Sequence, residues 1–176
     1  MTLRPWADLA EAPWRNGRGV TRDVVTVAGA DGAMRWQVSI AELAEDCAFS
    51  DYAGFDRVFT PVLGGGIRLS HDAGPFQPCP LLVPHAFPGE ARTLCRIGGG
   101  PGRAFNVITA RGACRAEVRV LHLDAGASAG PAEALHCWSG RLRAGAGDAG
   151  PGDTLLGCAA AAAVPSVAVQ VRIAPP

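Results

Sequence analysis

Arg57 is the residue whose setting most calls for chemistry. It lies between Phe55 and Phe59 in a run of strand-forming residues. A guanidinium there must pair, face solvent or face a cavity, because burying it alone is costly. Its planar fork grips a carboxylate through two parallel N–H bonds. The internal alternatives are ion pairs with Asp23 or Asp56. A second concentration of chemistry is the stretch from Ala12 to Arg22, Ala-Pro-Trp-Arg-Asn-Gly-Arg-Gly-Val-Thr-Arg. Asn16-Gly17 is a turn dipeptide, and Gly17 and Gly19 let the backbone turn sharply or approach another group. Asn106 adds an amide able to orient a polar ligand group or to tie down a turn. Trp14, Trp36, Phe87 and Phe105 are either cavity walls or core, with Trp36 read as core.

Other chemistries find no support. His71, His85, His122 and His136 include no His-x-His pair, so no two share a strand face at i, i+2 and no metal site is assigned. Gly98-Gly99-Gly100-Pro101-Gly102-Arg103 lacks the Gly-Lys-Ser/Thr ending of a phosphate loop, and its flanks read as strands; it is a tight crossing. His136 and Cys137 are adjacent on a strand and point to opposite faces. Glu42, Glu45 and Asp46 read as a solvated turn. No catalytic residue and no cofactor are assigned.

The elements that must hold these side chains are short strands. Val20–Ala28 is rich in Val and Thr. Met34–Leu43 alternates, with Trp36, Val38 and Ile40 on one face and Gln37, Ser39 and Ala41 on the other. That second, polar face suits a ligand inside a barrel. Arg57–Leu63 follows, with Pro61 marking an edge or a bulge. Ile67–Ser70, Leu81–Val83, Leu94–Ile97, Phe105–Thr109, Ala116–Leu123, Ala134–Leu142 and Val164–Ile173 continue the pattern. Residues 1–11 are a short helical turn or irregular lead-in. Pro84–Gly89 and Ala125–Pro131 are connections. Many short strands at close spacing indicate a sandwich or barrel rather than βαβ units.

Composition bounds the partners. The 176 residues carry a formal net charge of +0, and all sixteen basic residues are arginine. No basic stripe is present, so no nucleic-acid partner is expected. No apolar run reaches the length of a membrane span and no signal peptide is visible, so a cytoplasmic protein with no membrane partner is expected. Six scattered cysteines without a Cys-x-x-Cys pair read as reduced thiols. With 23 Gly and 14 Pro, the chain is turn-rich.

Trp14-Arg15-Asn16-Gly17-Arg18-Gly19-Val20-Thr21-Arg22 resembles the N-terminal signature of the HutD/Ves family. Four segments agree in order: Trp36-Gln37-Val38-Ser39-Ile40-Ala41, Phe49-Ser50 through Gly54-Phe55-Asp56-Arg57, Phe87-Pro88-Gly89, and Gly98-Gly99-Gly100-Pro101 through Phe105-Asn106-Val107. The likeness spans residues 4 to 112. It departs at Arg18, where a third glycine is usual, and at Ala104, where an acidic residue is common. The resemblance implies an all-β bicupin of two fused cupin-like sandwich or barrel halves, residues 1–110 and 111–176. It implies a link to histidine utilisation, through binding a small carboxylate such as N-formylglutamate and tempering pathway output rather than catalysing a step. It makes Arg57 the carboxylate clamp, with Asn16, Thr21 and Arg22 shaping the pocket and Trp14, Phe87 and Asn106 completing the candidate set. A metal-independent isomerase or hydrolase acting on a small acid, and a stress-related interaction protein, are the alternatives. Edge strands of such sandwiches lead us to expect a homodimer.

Overall fold

The computed structural model describes residues 1–17, 19–145 and 147–176. In chain order the strands are β1 (Thr2–Arg4), β2 (Glu11–Pro13), β3 (Val20–Ala28), β4 (Met34–Leu43), β5 (Cys47–Ala48) and β6 (Phe55–Leu63). Then come β7 (Arg68–His71), β8 (Gln77–Pro78), β9 (His85–Pro88), β10 (Thr93–Arg96), β11 (Gly102–Ala110) and β12 (Arg115–Leu123). The last are β13 (Ser128–Ser139), β14 (Leu142–Ala144), β15 (Gly147–Ala149), β16 (Thr154–Ala162) and β17 (Ser166–Ala174). A 3-10 turn at Trp6–Asp8 interrupts the lead-in, which is otherwise partly strand. Among the described residues no helix is long and apolar enough to cross a membrane.

The chain forms two compact units. One is Ala10–Arg115 with Pro175–Pro176; the other is Met1–Leu9 with Ala116–Ala174. In the first, a sheet ordered β2-β3-β4-β11-β6-β9 is accompanied by a smaller sheet ordered β5-β10-β7-β8. Side chains from both sheets meet in one core that includes Leu43, Phe59, Leu69, Phe87, Cys95 and Ala104. In the second, β12-β17-β13-β16-β14-β15 form a sheet with β1 on β16, and Leu135, Leu142 and Leu155 lie in its core. All six cysteines are free thiols.

β3 and β4 have the bounds their sequence pattern gives. Pro61 lies where the β6–β11 register shifts, a bulge that accommodates its missing N–H. Two expectations fail together. Leu81–Val83 is a turn rather than a strand, with Leu82 at φ 61° and its N–H bonded to the Pro61 carbonyl at 2.8 Å. Pro84–Gly89 is not wholly a connection, because His85–Pro88 pairs antiparallel with Asp56–Phe59. β9 is an edge strand, and an edge tolerates Pro88. The connection expected at Ala125–Pro131 is already strand from Ser128, with Pro131 inside a register irregularity against β16.

Candidate functional site

The large sheet of the first unit presents one face of alternate residues to a cavity of about 250 Å³. β3 contributes Thr21 and Asp23, β4 contributes Gln37, Ser39 and Ala41, β11 contributes Asn106 and Ile108, and β6 contributes Arg57 and Phe59. Register aligns them in rows. Asp23 lies opposite Ser39, Ser39 opposite Asn106, and Asn106 opposite Phe59; Gln37 lies opposite Ile108 and Ile108 opposite Arg57. The period of two that separates Gln37, Ser39 and Ala41 from Val38 and Ile40 therefore builds the site's floor. Trp14, Arg15, Phe49, Ser50 and Tyr52 from the two neighbouring loops complete much of the wall.

Arg57 is 8% exposed. Its Nη2 donates to Asn106 Oδ1 at 3.2 Å and its Nη1 reaches the Ser50 carbonyl at 3.4 Å. Its Nε is buried with no hydrogen-bond partner. Phe49, Phe87 and Tyr52 surround the guanidinium carbon, with ring centroids at 5.0, 5.3 and 5.5 Å. Their faces attract the cation but accept no strong hydrogen bond. Among the described residues no carboxylate pairs with it. Asp56 is held by Arg111 at 2.9 Å, and Asp23 takes a hydrogen bond from Gln37. Burial, offset slightly by Tyr52, pushes the guanidinium down to about 10, so it stays charged at neutral pH. Five donors in a desolvated site with two long bonds leave capacity for an anion.

Asn106 is oriented by this pairing. Guanidinium offers only donors, so the amide oxygen must face it, while Nδ2 donates to the Ala104 carbonyl at 3.3 Å. Asp23 is exposed by surface area, yet the cavity wall desolvates its carboxyl and raises its pKa, with the Gln37 bond opposing the shift. Its charge and those of Arg15 and Arg57 are the charges on the lining.

The Trp14 loop explains its own sequence. Trp14 N–H bonds the Gly19 carbonyl and Gly17 N–H bonds the Trp14 carbonyl, both at 2.9 Å. Gly17 takes φ 68°, the left-handed region where glycine is favoured. A Cβ on Gly19 would fall 2.6 Å from the indole, so the ring is seated on that glycine. The indole then meets Phe49 edge-on, centroids 6.0 Å apart. Arg18 lies outside the described residues.

Of the seven residues singled out in the sequence, Trp14, Thr21, Arg57 and Asn106 line the cavity. Three do not. Asn16 ties the loop to β5 by donating to the Ala48 carbonyl at 2.8 Å. Arg22 points to the face opposite Thr21 and Asp23, where it pairs with Glu11 and, at 3.6 Å, with Glu42. Phe87 is buried in the core, behind the wall, where it meets Phe49 at a centroid separation of 6.4 Å and the Arg57 guanidinium at 5.3 Å. Sequence reasoning missed Asp23 as a wall residue, although its spacing from Thr21 signals it, and missed Tyr52, which has no periodicity to reveal it. It also missed that His71 and His85 meet, with Nε2 atoms 3.0 Å apart. Among the described residues no group of three or more His, Cys, Asp or Glu is placed to hold a metal ion.

Comparison with known proteins places this geometry among relatives. The HutD family model matches residues 6–173. An uncharacterised 21.2 kDa protein from the hutC 3′ region of Pseudomonas putida is 37% identical over 114 residues, 64% of this chain and 60% of that protein. Protein Ves of Escherichia fergusonii is 33% identical over 117 residues, 64% of this chain and 61% of Ves. The matched part thus spans about 60% of the length of these curated relatives. The structure of HutD from Pseudomonas fluorescens SBW25 superposes with a TM-score of 0.80 at 23% identity, covering 98% of both chains, and shares the all-β, cupin-like fold.

Proposed function

The chain belongs to the HutD family, and from that premise we propose that it binds a small carboxylate and thereby modulates histidine utilisation, without catalysing a step. The ligand is N-formylglutamate or a related intermediate of histidine breakdown. One observation carries the reading: Arg57 is a buried, charged guanidinium with an unpartnered Nε in a cavity wall. Leaving a buried charge without a counter-ion is costly, and an entering carboxylate supplies one. The oxygens take the guanidinium donors, Asn106 fixes the fork, and the aromatic rings exclude water, which strengthens each polar contact. At about 250 Å³ the cavity is large enough for a small acid. Among the described residues neither a histidine nor a cysteine lines it and Asp23 is its one carboxylate. That lining favours binding over nucleophilic or paired acid–base turnover. The protein acts in the cytoplasm, and its two units are the halves of a bicupin.

A thermal-shift screen of purified protein against histidine, urocanate, glutamate and N-formylglutamate tests this. A ligand at about a hundred times its dissociation constant adds roughly 2.7 kcal/mol, a visible rise in melting temperature. The expected result is a shift with one acid that disappears in Arg57→Ala. No shift with any acid, or a shift kept in the variant, overturns the proposal.

A further inference from the structure

His71 on β7 and His85 on β9 are not on the cavity lining, and carboxylate binding as described above makes no use of them. Their Nε2 atoms lie 3.0 Å apart, their ring centroids 5.3 Å apart, and their planes differ by 10°. That centroid separation equals the N···N distance plus the two centroid-to-nitrogen radii, the largest separation this N···N distance permits. The rings therefore meet head to head in nearly one plane and are not stacked. Lone pairs aimed along one line share no apex at which a tetrahedral metal could take both. A hydrogen bond fits them: one nitrogen donates and the other accepts.

Thr93 decides which. Its hydroxyl donates to the Ala91 carbonyl at 3.0 Å, so it accepts from His71 Nδ1, 2.8 Å away. His71 thus carries its proton on Nδ1, its Nε2 accepts, and His85 Nε2–H donates. A first added proton goes to His85 Nδ1 and leaves the N–H···N bond intact. A second would protonate both facing nitrogens and break it. The pair therefore stores one proton.

This store communicates with Arg57 across Phe87. The Phe87 centroid lies 4.6 Å from that of His71, 5.8 Å from that of His85 and 5.3 Å from the Arg57 guanidinium carbon. An apolar ring between charges screens poorly. Burial holds both imidazoles below their ordinary value near 6.5; His85 and Arg57 depress His71 further, and Asp72, next to it in the chain, opposes them.

We propose that a carboxylate settling on Arg57 raises the proton occupancy of the His71–His85 pair, by at most one proton, so that the cavity binds acids more tightly as pH falls. The inference rests on the carboxylate-binding reading above. Neutralising Arg57 removes a positive field that opposes protonation, and such coupling is reciprocal. The proton comes from solvent and ends on His85 Nδ1; no other bond changes.

Calorimetric titration of the full chain with N-formylglutamate, in buffers of different ionisation enthalpy at about pH 6, counts the protons taken up. Wild type should take up more protons per ligand than the double variant His71→Phe/His85→Phe, by a fraction of one. Affinity should rise between about pH 8 and pH 5, about tenfold for each unit by which binding raises the pair's midpoint, and should rise less in His71→Phe/His85→Phe. Imidazole ¹⁵N spectra of wild type need no variant. They should show His71 protonated on Nδ1 and a midpoint that rises on saturation with the acid. Binding with an unmoved midpoint overturns the coupling alone. No binding overturns the carboxylate reading, and the coupling with it.

Discussion

Arg57 on β6 and Asn106 on β11 are diagonal neighbours on one face of the sheet, joined by a 3.2 Å bond from guanidinium to amide oxygen. Cross-strand diagonals of this kind place long side chains within reach of each other. The bond is neutral on the acceptor side, so it orients the fork without discharging it. Replacing Arg57 with Met keeps the chain's bulk and removes the charge. Truncating one member of a buried charge pair costs about 2 to 5 kcal/mol, so affinity for the acid should fall at least roughly thirtyfold. Melting temperature of the ligand-free protein should change little, because no ion pair is lost. A variant that still binds, measured by calorimetry, places the clamp elsewhere.

Asn106→Asp makes the opposite test. A carboxylate at that place satisfies Arg57 internally and becomes a built-in substitute for the ligand. Charge-assisted bonds are roughly twice as strong as neutral ones. The ligand-free variant should melt at or above the wild-type temperature, while affinity for the acid drops about tenfold or more, the equivalent of 1.4 kcal/mol. Undiminished binding would show that the acid does not use the guanidinium face turned to Asn106.

Gly19 and Gly17 should respond differently to alanine. At Gly19 the added Cβ meets three indole carbons of Trp14 at 2.6 to 2.8 Å. The indole must swing, and Trp14 lines the cavity. Gly19→Ala should cost about 1 to 3 kcal/mol through overpacking and weaken ligand binding. At Gly17 the added Cβ has no neighbour within 4 Å but sits at φ 68°. Gly17→Ala should cost about 1 to 2 kcal/mol of backbone strain and leave affinity nearly intact. Denaturant melts and calorimetry on the two variants separate the effects; equal losses of affinity would deny the indole its place in the wall.

Much of this was legible in the residues because alternation in a strand is a local rule. Gln37, Ser39 and Ala41 announced a polar face, and Arg57 between two phenylalanines announced a cation in apolar company. Arg22 shows where the rule was not applied: one position after Thr21, it must face away, and it meets Glu11 and Glu42 there. Asn16 carried a turn signal that was right in kind, while its amide partner on β5 is 32 residues away and no local pattern reveals it. His71 and His85 have no informative spacing. They meet because β9 runs along the edge of one sheet and β7 lies in the other. Pro84 and Pro88 hid β9 itself, since proline-rich runs read as loops until an edge position excuses them.

His136 supplies a pH test in the second unit. It is 3% exposed, its Nδ1 lies 3.1 Å from Thr154 Oγ1, and burial pushes its pKa down to about 4 against a partial opposing pull from Asp153. The folded state therefore holds it neutral where the unfolded chain, near 6.5, begins to take up a proton. Stability from this residue is fully present above about pH 6.5 and is lost as pH falls toward 4. A difference of that size amounts to roughly 3 kcal/mol at most, at 1.36 kcal/mol per unit. His71 and His85 act in the same direction, so the contribution must be read as a difference between proteins. His136→Asn should be less stable than wild type at neutral pH, with the gap narrowing by about 2 to 3 kcal/mol toward pH 4. Urea melts of both proteins between pH 7.5 and 4 measure the gap. Parallel pH profiles would mean that His136 titrates in the fold as it does in the unfolded chain, with Asp153 offsetting its burial.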